Sequence, residues 1–420
     1  MDKFVIRGGN RLNGTVEISG AKNATLALMP ATILAGGVCR LANTPRLRDV
    51  TTMSTLLERM GVGVKHPGMT LELDTTHITS MEAPYDLVKK MRASFYVLGP
   101  LLGRFGFARV SYPGGCAWGP RPVDLHLKAM QKLGASISIE EGYVVARAKR
   151  LRGAVVSFDI SSVGATGNTL MAAVLAHGTT VIANAALEPE ITHLAHFLVR
   201  MGARIEGIGT NHLTIEGVDE LHPADDHNIP DRIEAGTFLT AVAATGGKVT
   251  LTNACPEHLE AITTRLQEAG CDIVVDVDSV TISREGPLLP VDVTTAIYPG
   301  FPTDMQAQWI ALMATAEGAS VVTETIYPDR FNHVPELQRL GASIDISRNT
   351  AIVRGVKQLT GAKVMSTDLR ASASLIVAGL IARGKTEVLR VYHIDRGYES
   401  IEVKLRRLGA DIQRVDSEEY

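Results

Sequence analysis

The chain runs to 420 residues, too long for one ordinary core, so two domains of about 200 residues each are expected. Its composition, 45% hydrophobic and 21% charged, excludes wholesale disorder and a fibrous repeat. Basic residues number 42 against 45 acidic ones, a net charge of −3, so no basic surplus asks for nucleic acid and no like-charge block for a membrane surface.

The first residues, Met1-Asp2-Lys3-Phe4-Val5-Ile6-Arg7, are charged and lack the apolar core of a signal peptide. Stretches of low charge near 165–187 and 235–247 are broken by Gly, Thr and Asn, so no membrane span is expected. Four cysteines are too few for a disulfide framework, and a cytoplasmic location is expected.

From there one phrase recurs six times: an amphipathic helix, Leu, Met or Ala, then Gly and a short strand. It runs through Met60-Gly61-Val62, Leu133-Gly134-Ala135, Met201-Gly202-Ala203, Ala269-Gly270-Cys271, Leu340-Gly341-Ala342 and Leu408-Gly409-Ala410. Successive glycines lie 73, 68, 68, 71 and 68 residues apart, so six units of roughly 70 residues fill the chain. Each glycine reads as a helix stop in left-handed backbone, a conformation that a β-carbon resists. Three residues beyond it always stands a β-branched residue: Val64, Ile137, Ile205, Ile273, Ile344 or Ile412. A second helix–glycine–strand phrase lies upstream, giving strand–helix–strand–helix–strand–strand. Three packed units per domain, twice, is the natural assembly.

The upstream helices are expected to open at Lys22-Asn23, Arg92-Ala93-Ser94, Gly164-Ala165-Thr166, Ala235-Gly236-Thr237, Asp304 and Arg370-Ala371-Ser372. Helix amino termini carry unpaired N–H groups and partial positive charge. Ser, Thr and Asp at such positions read as ordinary caps. Lys or Arg there is unfavourable unless an anion joins it, which points to a polyanionic ligand.

Residues 112–122 contain three glycines and three prolines, a lid-like loop rather than a helix or central strand. Cys116 is the cysteine in that loop; Cys39, Cys255 and Cys271 lie in or beside strand-like segments. Gly379–Thr386 spells a phosphate-loop pattern, but a helix before it and a strand after it reverse the required context. His193 and His196 lack a third ligand cluster and are expected on a solvent-facing helix, so no metal site is expected.

These units resemble the enolpyruvyl transferases over essentially the whole chain. The resemblance is carried by Ser19–Ala24, Met91–Ser94, Pro113–Cys116, Gly119–His126, Phe301–Gln306, Asp368–Ser372 and His393–Tyr398. It implies an α/β fold: a two-domain inside-out α/β barrel of six βαβαββ units, three per domain. One domain would span 21–230, the other 1–20 plus 231–420, with the active site in the cleft between them. The implied reaction transfers the enolpyruvyl group of phosphoenolpyruvate to the 3′-hydroxyl of UDP-N-acetylglucosamine through a tetrahedral ketal, releasing phosphate. No cofactor, metal, nucleic acid or membrane is implied, and the oligomeric state is open, a monomer included.

By that resemblance Cys116 is the proton donor and Asp304 the base, with Lys22 and Arg396 also catalytic. Lys22, Arg121 and Arg396 would hold the phosphate of phosphoenolpyruvate, beside Asn23, while Arg330 and Arg370 take its carboxylate. Asn23, Arg92, Arg121, Pro122, Val123, Asp124, Leu125, Ser162, Val163, Asp304 and Ile326 would meet the UDP-sugar. Arg330 as a surface charge and Asp304 as a mere helix cap are the plain alternatives. Two positions depart from the pattern: Ile160 stands where many relatives carry lysine, and Trp118 replaces a smaller aliphatic residue. Removing Arg370 or Arg396 is expected to end turnover and leave the fold intact. A sister enzyme acting on shikimate 3-phosphate and a non-catalytic sensor of UDP-sugars are the competing readings.

Overall fold

The computed structural model describes residues 2–112 and 123–416. All six helix-ending glycines have positive φ, between 90° and 106°, and the β-branched residue three places on always lies in a strand. The chain divides into two compact units, Gly20–Ile229 and Met1–Ser19 with Pro230–Tyr420. Each has its own hydrophobic core.

The described residues form six four-stranded sheets, three in each unit. In one, Val155–Ser157 runs parallel to Thr179–Ala183, which pairs antiparallel with His212–Glu216 and then Arg204–Glu206. The other five repeat that order, but three of them draw a strand from a distant segment. Asp226–His227 pairs parallel with Val38–Ala42 to complete the first sheet. Leu12–Glu17 pairs parallel with Gly247–Thr252. Asp2–Arg7 lies antiparallel between Lys385–Leu389 and Asp411–Asp416. The six units are therefore not six self-contained segments of sequence, as the periodicity alone suggests.

Each unit has three core helices, α1 (Lys22–Ala31), α2 (Leu98–Phe105) and α3 (Val163–Ala173) in Gly20–Ile229, and α4 (Arg232–Thr245), α5 (Gln306–Met313) and α6 (Leu369–Ile381) in the other. A helix that is apolar or small on every side must be buried. In α6 every residue from Leu369 to Leu380 is buried, and α4, α5 and α6 pack on one another. Some of the polar groups carried inward find partners: Ser372 Oγ donates to the Asp368 carbonyl at 2.7 Å, and Trp309 Nε1 to the Val291 carbonyl at 3.2 Å. Helix α4 starts at Arg232 rather than near Ala235, because Asp231 caps it by accepting from the amides of Ile233 and Glu234 at 2.9 Å each. Outer helices are amphipathic, as in Pro189–Arg200, where Leu194, Phe197 and Leu198 are buried. His193 on that helix is not solvent-facing as expected: its Nε2 lies 3.1 Å from Asp226 Oδ2, tying the short closing strand down.

The repeat leaves matching tight spots. A β-carbon at Gly217 would sit 1.7 Å from the Ala176 carbonyl oxygen, and one at Gly355 1.7 Å from that of Ala316. Both obstacles are backbone and cannot swing aside. Gly217→Ala or Gly355→Ala should each cost about 3 kcal/mol, read as a lower urea midpoint with an unchanged slope.

Candidate active site

Within Gly20–Ile229, Lys22 and Asn23 are the first two residues of α1. Lys22 Nζ lies 3.3 Å from Asp49 Oδ2, with only 11% and 4% of the two side chains exposed. Asp49 sits in the first turn of the helix Arg48–Arg59, where a carboxylate is favourable for the helix itself. The anion that Lys22 calls for is thus met in part by the chain.

Arg92 opens the 3₁₀ turn Arg92–Val97 that leads into α2. Val123 is buried just before the helix Asp124–Lys132, whose first two residues are Asp124 and Leu125; Asp124 is exposed, 3.7 Å from Lys128. Ser162 caps α3, its Oγ accepting from the Ala165 amide at 3.3 Å, and the Val163 carbonyl accepts the Tyr96 hydroxyl at 3.4 Å. His126 joins these segments: a β-carbon on Gly164 would lie 2.9 Å from its Cε1. Asn168 fixes its tautomer. The Asn168 oxygen accepts from the Gly99 amide and its Nδ2 donates to the Phe95 carbonyl, so Nδ2 also donates to His126 Nδ1, at 2.8 Å. Burial, and then the charge of Arg92, push the His126 pKa down to about 3. Ile160, the first departure, is 71% exposed. Cys116, Trp118, Arg121 and Pro122 lie outside the described residues.

In the other unit Asp304 lies in the 3₁₀ turn Thr303–Met305 before α5 and does not serve as a cap. Its Oδ1 accepts from Arg330 Nη2 at 2.9 Å and its Oδ2 from Arg370 Nη2 at 2.7 Å. Arg330 is no surface charge: it and Arg370 are 5% and 4% exposed. Arg370 is the second residue of α6, behind the cap Asp368, which accepts from the Arg370 and Ala371 amides at 2.8 and 3.0 Å. Arg370 Nη1 donates to the Tyr398 hydroxyl at 3.1 Å, and that oxygen is 2.8 Å from Thr237 Oγ1 on α4 and 3.3 Å from Gln308 Nε2 on α5. Burial works against the Arg370 charge, but Asp304, Tyr398 and Asp231 carry its pKa above the ordinary value. The amino-terminal ends of three core helices are thereby joined through one guanidinium and one phenol. Arg396 ends the 3₁₀ turn Val391–Arg396, packed on α6 and two residues before Tyr398. Ile326 precedes Arg330 by four residues, its amide bound to Glu324 Oε1 at 2.7 Å.

Sequence reasoning missed the partners: Asp49, His126, Asn168, Thr303, Glu324, Gln308 and Tyr398. Three of them lie in motifs already noted: His126 closes the motif beginning at Gly119, Thr303 lies in Phe301–Gln306 and Tyr398 closes the motif beginning at His393. Asp49 carries the signature of a helix first turn and gives no hint of its cation.

Two buried histidines set an acid sensitivity. Burial, and the charge of Arg330, push His333 down to about 4 against the attraction of Asp368. A histidine neutral in the fold and ordinary when unfolded stabilises fully above its unfolded pKa of 6.5 and loses that contribution as pH falls toward the folded value. Unfolding free energy from urea melts should therefore decline steadily below about pH 6.5, and less steeply in His126→Gln.

The family model of EPSP synthase (3-phosphoshikimate 1-carboxyvinyltransferase) matches residues 6–405. A UDP-N-acetylglucosamine 1-carboxyvinyltransferase of Chloroherpeton thalassium is 60% identical, covering 100% of this chain and 99% of that protein. The protein of that name from Prosthecochloris aestuarii is 58% identical, with both chains covered in full. Among solved structures, the enolpyruvyl transferase NikO from Streptomyces tendae superposes with a TM-score of 0.88 at 28% identity, covering 99% of each chain. An EPSP synthase from Acinetobacter baumannii shares the fold, with a TM-score of 0.76 at 19% identity over 99% of this chain and 100% of that one.

Proposed function

The chain belongs to the EPSP synthase family of enolpyruvyl (1-carboxyvinyl) transferases, and on that premise we infer that it transfers the enolpyruvyl group of phosphoenolpyruvate to the 3′-hydroxyl of UDP-N-acetylglucosamine. It is an enzyme of peptidoglycan synthesis, and phosphate is the second product. The family model is named for the shikimate 3-phosphate enzyme and the 19% identity of the solved EPSP synthases carries the fold alone, whereas full-length relatives at 56–60% are named for UDP-N-acetylglucosamine, which favours that acceptor.

The observation that carries the residue roles is Asp304 held between two buried arginines. A guanidinium presents five N–H donors in a fixed fork, suited to sharing a second carboxylate, that of phosphoenolpyruvate. Arg330 and Arg370 take that carboxylate. Lys22, Arg121 and Arg396 hold the phosphate, with Asn23 beside it, and Arg92, Arg121 to Leu125, Ser162, Val163, Asp304 and Ile326 bind the sugar nucleotide. Cys116 protonates the C3 methylene, making C2 electrophilic. The sugar hydroxyl then attacks C2 while Asp304 takes its proton, one arginine bond yielding to the hydroxyl. A tetrahedral ketal results. Loss of a C3 proton and of phosphate restores the double bond on the new ether. The same reading puts the enzyme in the cytoplasm with small molecules as its partners; among the described residues no helix is long and apolar enough to cross a membrane.

Mass spectrometry of the nucleotide product tests this reading. An enolpyruvyl ether on the N-acetylglucosamine moiety is expected. An unmodified sugar nucleotide after complete incubation would remove the assignment.

A further inference from the structure

Glu324 follows the strand Ala319–Thr323 and is fully buried. A carboxylate so placed persists only where donors surround it. Its Oε1 accepts from the Ile326 amide at 2.7 Å, the Tyr327 amide at 3.0 Å and Thr295 Oγ1 at 2.8 Å. Its Oε2 accepts from Thr303 Oγ1 at 2.8 Å, and Thr303 Oγ1 accepts in turn from Arg330 Nη1 at 2.9 Å. A hydroxyl has a single proton. With that proton committed to Glu324, the threonine oxygen turns its lone pairs to the guanidinium, whose other amino group meets Asp304 Oδ1 at 2.9 Å.

We propose that Glu324 is a positioning residue of the transfer reaction, acting along two branches. Through Thr303 it orients Arg330 against Asp304, and through the main-chain amide of Ile326 it sets the segment that meets the sugar nucleotide. The proposal rests on the roles given above to Asp304, Arg330 and Ile326. In this proposal Glu324 and Thr303 act through Arg330 and Ile326 rather than on the reacting atoms.

The branches separate chemically. In Glu324→Gln the amide oxygen faces the three donors now at Oε1, so the amide nitrogen faces Thr303. It donates to the threonine oxygen, displaces the threonine proton and competes with Arg330. Thr303→Val removes the same link from the other side, and Thr303→Ser keeps it. Glu324→Ala cuts both branches.

Steady-state kinetics and titration calorimetry with UDP-N-acetylglucosamine, on the full chain, read the two branches. Glu324→Gln and Thr303→Val should lower kcat roughly tenfold to a hundredfold and raise the KM for phosphoenolpyruvate, the effect of one misplaced buried donor, with sugar-nucleotide affinity unmoved. Thr303→Ser should recover most of the loss, and Glu324→Ala alone should also weaken sugar-nucleotide binding. Parental kinetics in both Glu324→Gln and Thr303→Val would overturn the proposal. So would losses spread equally over both substrates and shared by Thr303→Ser, the pattern of a merely structural role. Asp304→Asn, measured alongside, keeps the premise separate: full turnover there removes the base assignment, whereas its loss with both Glu324→Gln and Thr303→Val parental overturns the positioning role alone.

Discussion

Replacing Arg370 with alanine is expected to end turnover and weaken the fold together. Two charge-assisted bonds to the phosphoenolpyruvate carboxylate are worth roughly 3–6 kcal/mol, a loss of about a hundredfold to ten-thousandfold in kcat/KM. Sequence alone suggests that the fold would survive untouched. The structure changes that expectation, because Arg370 is buried, pairs with Asp304 at 2.7 Å and donates to Tyr398 at 3.1 Å. Removing one partner of a buried ion pair costs about 3–5 kcal/mol, and that loss should appear in denaturant melts. Arg370→Lys keeps the charge without the fork, so it should recover part of the stability and little of the rate. Arg396, half-buried at the end of its 3₁₀ turn, should lose turnover in Arg396→Ala with a smaller change in stability. An Arg370→Ala protein with parental melting and parental turnover would show that the pairing with Asp304 serves neither purpose.

The second large effect concerns Cys116, proposed as the proton donor. An epoxide phosphonate resembling phosphoenolpyruvate should enter the anion site, and its epoxide carbon should be opened by the sulfur, leaving a thioether and an alcohol. Thiolates are the reactive form, and the cations assigned to the phosphate favour one there. The other three cysteines are poor competitors. Burial raises the thiol pKa of Cys39 and Cys255, and takes Cys271 to about 11. Cys116→Ala should lose labelling and nearly all turnover, since positioned proton transfer is worth about a hundredfold to ten-thousandfold. Cys116→Asp keeps an acid and should retain catalysis while resisting alkylation. Peptide mass spectrometry locates the adduct; one on Cys39, Cys255 or Cys271, or full activity in Cys116→Ala, would contradict the role.

The architecture was legible where the chain repeats itself. Gly61 and its five counterparts end helices in left-handed backbone, and Val64 and its counterparts lie in strands, because each signal acts within a few residues. Pairing between distant segments leaves no such trace. Nothing in Asp226–His227 announces that it pairs parallel with Val38–Ala42, or in Asp2–Arg7 that it enters a sheet with Lys385–Leu389. The candidate site divides along the same line. Lys22, Asp304, Arg330 and Arg370 stood out by residue type and motif. The roles of their partners did not: Thr303 and Tyr398 lie in noted motifs and Asp49 and Glu324 in none, but what each binds shows only once the fold brings it to within 2.7–3.3 Å of a donor or acceptor.

Phosphate release is the most direct measure of the enolpyruvyl transfer on which every assigned role depends. The purified chain, given phosphoenolpyruvate, should release phosphate when UDP-N-acetylglucosamine is present and not when shikimate 3-phosphate replaces it or the acceptor is left out. Release with shikimate 3-phosphate, or none with UDP-N-acetylglucosamine, would contradict the account.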